Sequence, residues 1–236
     1  MRSKTRFVGT VAIVAGVGVL AWAATVWLWQ DPFTALYTTW QQHRLAQRYD
    51  KVVSAYRPAV PAGRTLAAAR RELRAEAAAY RKDTHRGMPI GRIVVPRLGL
   101  NMVLVDGTDH DSLTKGPGRD LRSYMPGQGE LVYIAGHRTT YLAPFSHIDL
   151  LRRGDPVTLS MPYATLVYSV TGYRIVTADD LSVLRTHGHE ELELQACHPR
   201  FFATHRYIAY ARLVSVRLRG VATGVSPTAL ATAAQT

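Results

Sequence analysis

The chain of 236 residues holds a single cysteine, Cys197, in the stretch "LELQACHPRFFATHR" (192–206), with Arg206 nine positions further on. A second stretch, "IAGHRTTY" (134–141), places His137 just after an apolar run that ends near Ala135. Cysteine, histidine and arginine together suffice for acyl transfer. A thiol attacks only as thiolate, a few per cent of an ordinary cysteine of pKa about 8.5 at neutral pH. A neighbouring imidazolium favours that thiolate and can afterwards protonate a departing amine. Attack on an amide carbonyl creates an oxyanion, for which a fixed guanidinium supplies charged donors. The sequence marks no acidic third partner, so the histidine would be a less basic proton shuttle than in a triad. Singly, each residue has a plainer reading. One histidine among nine is usually a satisfied or surface residue, one arginine among many is charge, and a lone cysteine is commonly a small buried hydrophobe.

Metal binding competes for the same residues, since His137, His187, His189, His198 and His205 are plentiful. Neither "HGH" (187–189) nor "CHPRFFATH" (197–205) has the spacing of a zinc motif carried on a helix, so no metal site is expected. No phosphate-binding glycine loop is present, and no cofactor is expected. Glu190, Glu191 and Glu193 lie close together and read as a solvated strand edge.

The compartment of the thiol matters for its chemistry. From Phe7 to Trp29 there is no charged residue. As a helix these residues rise roughly 35 Å, enough to cross a hydrocarbon core about 30 Å thick. A cleaved signal peptide is the alternative, with "AWA" (21–23) as its site, but signal h-regions run only about 7–15 residues and this one continues through Trp27 and Trp29. A retained anchor fits better. Arg2, Lys4 and Arg6 precede it, and no Lys or Arg follows until Arg44, which predicts a cytoplasmic N-terminus and an exported remainder. With one cysteine no internal disulfide can form; an exported odd cysteine is a reactive thiol, an intermolecular bridge or an inert core residue.

The net charge of +12 and the sequence pI near 10.2 suit anionic partners. Nucleic acid is excluded by the exported placement and by the absence of zinc-finger, RNP-like or basic heptad patterns. Much of the excess charge lies between Arg44 and Arg86, beside the membrane. The division expected is a cytoplasmic N-terminus (1–6), a transmembrane anchor (7–29), a linker (30–87) and one domain over 88–218, followed by a disordered tail (219–236). In the linker, the part up to Arg57 mixes aromatic and basic residues suited to a membrane interface, "RPAVPAG" (57–63) is a break, and 64–82 is a helical spacer whose Leu66, Leu73, Ala77 and Tyr80 recur near helical spacing, a stripe suited to packing on the domain behind it. The domain itself shows seven short apolar or alternating runs (91–96, 100–107, 129–136, 155–160, 165–176, 192–197 and 207–218). Strands at such spacing indicate an all-β fold, an antiparallel barrel or sandwich. Only 107–116, 143–151 and 180–187 read as short helices.

The segment "AGHRTTYLAPFSHIDLLRRGDPVTL" (135–159), followed by "LELQACHPRFFATHRYIAYARL" (192–213), resembles the sortases, most of all the class E type of high-GC Gram-positive bacteria. The resemblance covers roughly residues 88–218. It implies an eight-stranded β-barrel with a few short helices and a membrane-anchored cysteine transpeptidase that needs no cofactor. His137 is then the catalytic histidine, Cys197 the nucleophile and Arg206 the oxyanion-side arginine. Tyr141 matches a position linked to preference for an LAxTG-like over an LPxTG sorting signal. Partners so implied are exported proteins bearing a C-terminal sorting signal, a peptidoglycan precursor amine and the membrane. The chain departs from the family where two threonines usually precede the nucleophile: Glu193 and Ala196 stand there, Ala196 at a substrate-side position. Leu142 stands where class E chains often carry glycine.

Alternation places Leu192, Leu194 and Ala196 on one face of their strand, and Glu193, Gln195 and Cys197 on the other. The first set is expected in the core and the thiol on the accessible side. Two rival readings are a non-catalytic tethered barrel and an L,D-transpeptidase-like cross-linker, whose arginine sits much closer behind its cysteine.

Overall fold

The computed structural model describes residues 2–28, 32–57 and 66–219. Eight strands are present: β1 (Pro89–Val95), β2 (Leu100–Asp106), β3 (Gly118–Arg119), β4 (Val132–Ala135), β5 (Pro156–Ser160), β6 (Ala164–Thr177), β7 (Glu191–His198) and β8 (His205–Leu218). They close into a barrel in the order β1-β2-β3-β4-β7-β8-β6-β5. Closure leaves no free sheet edge, which the short strands could not otherwise protect. Inward alternation fills the barrel: Leu166, Tyr168 and Val170 of β6 meet Leu192, Leu194 and Ala196 of β7 and Ala209, Ala211 and Leu213 of β8 in one apolar core.

Two features depart from expectation. The ladder is mixed, because β2–β3 and β4–β7 run parallel. A parallel pair needs a crossover of a dozen residues or more, and the chain between β4 and β7 provides one by carrying the β5–β6 hairpin. The second feature is β3, two residues long and without an apolar pattern. It forms because Gly118 lets the backbones touch: a Cβ there would lie 2.0 Å from the Gly107 carbonyl oxygen. Arg119 then makes a buried pair with Asp106 of β2 at 2.7 Å and donates to the Ser123 carbonyl at 2.6 Å. Removing either charged partner would strand the other in the core.

The segment before the barrel is part of the fold. Helix α1 (Arg2–Leu28) contains an apolar stretch, Arg6–Thr25, long enough to cross a membrane. Helix α2 (Pro32–Ala55) docks on β1 and β2. Its Gln42 brackets the Val103 backbone (Nε2 to O, 3.1 Å; N to Oε1, 2.7 Å), Tyr49 Oη donates to the Ser160 carbonyl at 2.6 Å, and Leu45 and Tyr49 pack on Val103 and Val105. Helix α3 (Leu66–Asp83) covers the region read as a spacer. Ala69, Leu73, Ala77 and Tyr80, at spacings of four, four and three, are all buried in the barrel core. Tyr80 donates to the Ile90 carbonyl (3.1 Å) and packs edge-on against Tyr163, with centroids 5.6 Å apart. Leu73 closes on Gly127, whose φ of +96° and missing Cβ both suit the approach. The helix thus packs on the domain behind it, as its apolar stripe suggests, and is an integral part of the barrel core. Arg219, assigned above to the tail, donates its N–H to the Tyr163 carbonyl at 2.9 Å. Residues 220–236, residues 58–65 with all but the first residue of the break at 57–63, Trp29 and the Trp27 side chain lie outside the described residues.

Leu73→Ala separates the two roles of α3. A spacer would lose less than about 0.5 kcal/mol on this change, whereas a core helix loses about 2–5 kcal/mol. The core value is expected in denaturant unfolding of the detergent-solubilised chain.

Candidate active site

Strand β7 carries Cys197 near its C-terminal end, between β4 and β8. The antiparallel pairing with β8 sets Cys197 directly opposite Arg206. Residues so paired share a face, with Cβ atoms about 4.5–5.5 Å apart. On the other side, β4 runs parallel with Ala135 opposite Gln195, and Gly136 N continues the ladder to the Gln195 carbonyl at 3.0 Å. His137 follows Gly136 at this end of β4. Cys197 and Arg206 therefore face each other on the outward side of the sheet, and His137 enters beside β7 at the same end of the barrel.

Each is held differently. Cys197 is a free thiol, half-buried. Arg206 donates through Nη1 to the carbonyls of Ala203 (2.8 Å) and His205 (3.0 Å), which ties its guanidinium to the β7–β8 turn. Burial raises the pKa of the Tyr133 phenol on β4, and the Arg206 charge acts against that rise. His137 is half-buried, with Nε2 sheltered from solvent and without a hydrogen-bond partner. Burial, and after it the charge of His110, lowers its pKa below the ordinary 6.5. Gly136, just before it, admits the Phe145 ring, which a Cβ would meet at 2.7 Å.

Tyr141 joins the site. Its ring lies 5.0 Å from the His137 ring and 6.1 Å from that of His110. Tyr141, Leu142 and Ala143 have φ values of +53°, +60° and +39°. Three successive side-chain-bearing residues in the left-handed region store strain of order 1–3 kcal/mol each. Leu142 packs on the barrel core, a contact that a glycine there could not make. Ala196 is not brought to the site: its methyl is fully buried in the core, on the face away from Cys197.

Arg138 is a site residue that sequence reasoning passed over. It is 5% exposed, and its Nη1 reaches the Cys197 carbonyl (3.3 Å) and His198 Nδ1 (2.9 Å) while Nη2 pairs with Asp149 (2.8 Å). It cross-links the loop after β4 to the strand of the thiol. Its only signal in sequence was its position beside His137.

The acidic residues of β7 and its approach are not a solvated edge. Glu190 is 1% exposed and accepts from Gly127 N (2.7 Å), Gly129 N (2.9 Å) and Tyr168 Oη (2.5 Å). Glu193 is also 1% exposed, flanked on its rung by Tyr133 and Tyr210, with Oε2 unpartnered. The reason is β7's central place in the barrel, together with Val183 and Leu184 of the 3₁₀ turn Leu181–Leu184, which pack on this outward face. Among the described residues no three His, Cys, Asp or Glu side chains gather to hold a metal ion.

This is a β-barrel that brings a thiol, an imidazole and a guanidinium to one rim. A family model described as "Sortase domain" matches residues 93–214, just over half of the chain. Sortase D of Bacillus subtilis (strain 168) is 32% identical over 142 residues, covering 58% of this chain and 69% of that protein. Among solved structures, sortase E of Streptomyces avermitilis superposes with a TM-score of 0.52 at 29% identity, over 60% of this chain and 99% of that one. A sortase D5 transpeptidase of Clostridium perfringens, at 20% identity, shares the fold with a TM-score of 0.60 over 74% of this chain and 98% of its own. The chain belongs to the sortase family of transpeptidases.

Two titrations are testable. His110→Gln removes the charge that depresses His137, so the His137 pKa, followed by ring-proton NMR, should move upward. Glu193 is raised to about 8, first by burial and then by the Glu191 charge, with Arg174 acting in the opposite direction. Below its unfolded pKa of about 4.5 both states hold the proton and stability is intact. As pH rises toward 8 the unfolded state releases a proton that the folded state keeps, so stability falls, by up to roughly 1.4 kcal/mol per pH unit. Glu193→Gln should therefore be stabilising at pH 8 relative to its effect at pH 5, as read by thermal unfolding at the two pH values.

Proposed function

We propose that this chain is a membrane-anchored, class E-like sortase that cuts a C-terminal LAxTG- or LPxTG-type sorting signal between threonine and glycine. Cys197 as thiolate attacks the threonine carbonyl carbon: the Sγ–C bond forms and the carbonyl electrons move onto oxygen. Arg206 steadies that oxyanion. The tetrahedral species collapses, the C–N bond breaks, and imidazolium His137 gives its proton to the glycine nitrogen. The thioester is then taken by an amine of a peptidoglycan precursor, with neutral His137 accepting the proton that the amine sheds. Water in place of the amine gives slow hydrolysis. Tyr141, packed against His137, is the residue expected to bias the signal toward alanine at its second position.

The observation that supports this reading is the pairing of Cys197 with Arg206 across β7 and β8, with His137 two residues past the end of β4, the other neighbour of β7. The lowered His137 pKa favours the neutral ring near pH 7, the form that accepts the proton shed by the incoming amine. The anchor is the Arg6–Thr25 stretch with the N-terminus inside; enzyme, substrate and acceptor on one membrane face meet at raised effective concentration.

The test is incubation of the detergent-solubilised chain with LAxTG and LPxTG peptides and hydroxylamine. Threonyl hydroxamate is expected, more from LAxTG, absent with Cys197→Ala and reduced roughly 10²-fold in kcat with Arg206→Ala. Peptide binding without hydroxamate would assign the chain to the non-catalytic reading instead.

A further inference from the structure

Helix α2 presents two stripes, and only one of them faces the barrel. Thr34, Thr38, Gln42, Leu45 and Tyr49, at spacings of four, four, three and four, make the inward stripe through the Gln42, Leu45 and Tyr49 contacts above and a buried bond from Thr38 Oγ1 to the Thr114 carbonyl (2.8 Å). The outward stripe begins with Phe33, Leu36, Tyr37 and Trp40, which are 72%, 72%, 42% and 51% exposed. It continues with exposed Arg44, Arg48 and Lys51. Isolated exposed apolar residues are ordinary on protein surfaces. Four on one stripe within two turns, giving way to a basic series, form a gradient, and a helix leaving a bilayer at a slant needs that gradient.

We propose that the outward stripe of the first half of α2 lies in the interface of an anionic phospholipid bilayer and holds the active-site rim against that surface. The inference rests on reading α1 as the membrane anchor. Continuity supports it: the Phe33 ring packs on Trp22, with centroids 5.4 Å apart, and Trp22 falls within the last turn of the Arg6–Thr25 span. The start of α2 is thereby returned to the depth at which the span ends. Trp40 carries the Arg44 guanidinium 4.7 Å above its ring, an aromatic at the interface with a cation directed toward headgroup phosphates.

The link to the site is short. Thr34, the neighbour of Phe33, accepts a hydrogen bond at Oγ1 from Tyr141 N (3.1 Å), and Tyr141 packs on His137. At the same rim, the turn between Cys197 and Arg206 exposes Phe202 (72%). The site opens at headgroup depth, so it acts on peptide bonds held at the membrane surface.

Site-directed spin labelling tests this on the full chain in nanodiscs of phosphatidylglycerol and phosphatidylcholine. Cys197→Ala removes the native thiol, and single labels follow on Val14→Cys, Leu36→Cys, Trp40→Cys and Ser182→Cys. Collision with oxygen reports lipid, and collision with a nickel chelate reports water. Labels at 36 and 40 should be oxygen-accessible and shielded from nickel relative to 182, and shallower than 14. If 36 and 40 match 182 while 14 is deep, the anchor reading stands and this inference is overturned. If 14 is itself in water, the anchor reading fails and takes the inference with it.

Discussion

The direction of β7's two neighbours is the constraint on which the site depends. β4 runs parallel to β7, so both strands finish at the same end of the barrel; β8 runs antiparallel, so it begins there. Three chain segments are thus delivered to one rim: the residues after β4, the last of β7 and the first of β8. Had β4 been antiparallel to β7, His137 would have emerged at the opposite end, at least the length of a strand away. The period-two alternation of β7 and β8 then turns Cys197 and Arg206 to one side, while His137 enters at the same end from the segment after β4.

The same outward face explains the unusual polar interior. Four rungs from the Cys197–Arg206 pair sits Glu193, between two tyrosines on a face that an apolar turn packs against. A carboxyl with an unpartnered oxygen in such a place destabilises the fold when ionised, and the surroundings answer by keeping it protonated over most of the physiological range. Burial raises the Glu190 carboxyl as well, but its oxygens are satisfied: three donors converge on it and oppose that rise, two of them backbone N–H groups of the glycine-rich turn after Met125. The first carboxyl is a local conflict, the second a clamp. Conflicts of the first kind, like the left-handed run at Tyr141–Ala143, gather where a fold serves something besides stability.

Much of this was legible in the residues. Alternation in 192–197 separated core from outward face correctly, because a strand flanked on both sides cannot rotate. Seven strands were visible as apolar runs; β3 was not, since two residues have no period and what holds Gly118–Arg119 is a buried ion pair to a residue distant in sequence. The parallel pairing escaped because strand direction is a property of topology, and short runs read the same in either direction. Glu193 was misjudged through its charge: it looks solvated until one sees that β7 has neighbours on both sides and a turn above. Ala196 was placed at the substrate although its own alternation, set beside that of Cys197, already pointed its methyl into the core. Arg138 carries no pattern at all, and its importance lies wholly in what the fold brings within reach.

The two helices before the barrel were unequally legible. In α3 Leu73, Ala77 and Tyr80 stand out at helical spacing among the charges, and with Ala69 they decide where the helix goes. In α2 the aromatic and basic residues pointed to the membrane, and the barrel-facing set went unnoticed because Thr, Gln and Tyr do not register as apolar. A single bond such as that from Tyr141 N to Thr34 contributes only about 1 kcal/mol and could not by itself hold a strained loop to a helix end. Gln42 on the β2 backbone, Tyr49 on Ser160 and the Leu45 packing fix the middle turns of the helix on the barrel. Thr34 is therefore presented at a fixed height, and the loop that carries Tyr141 closes onto a support that is already in place.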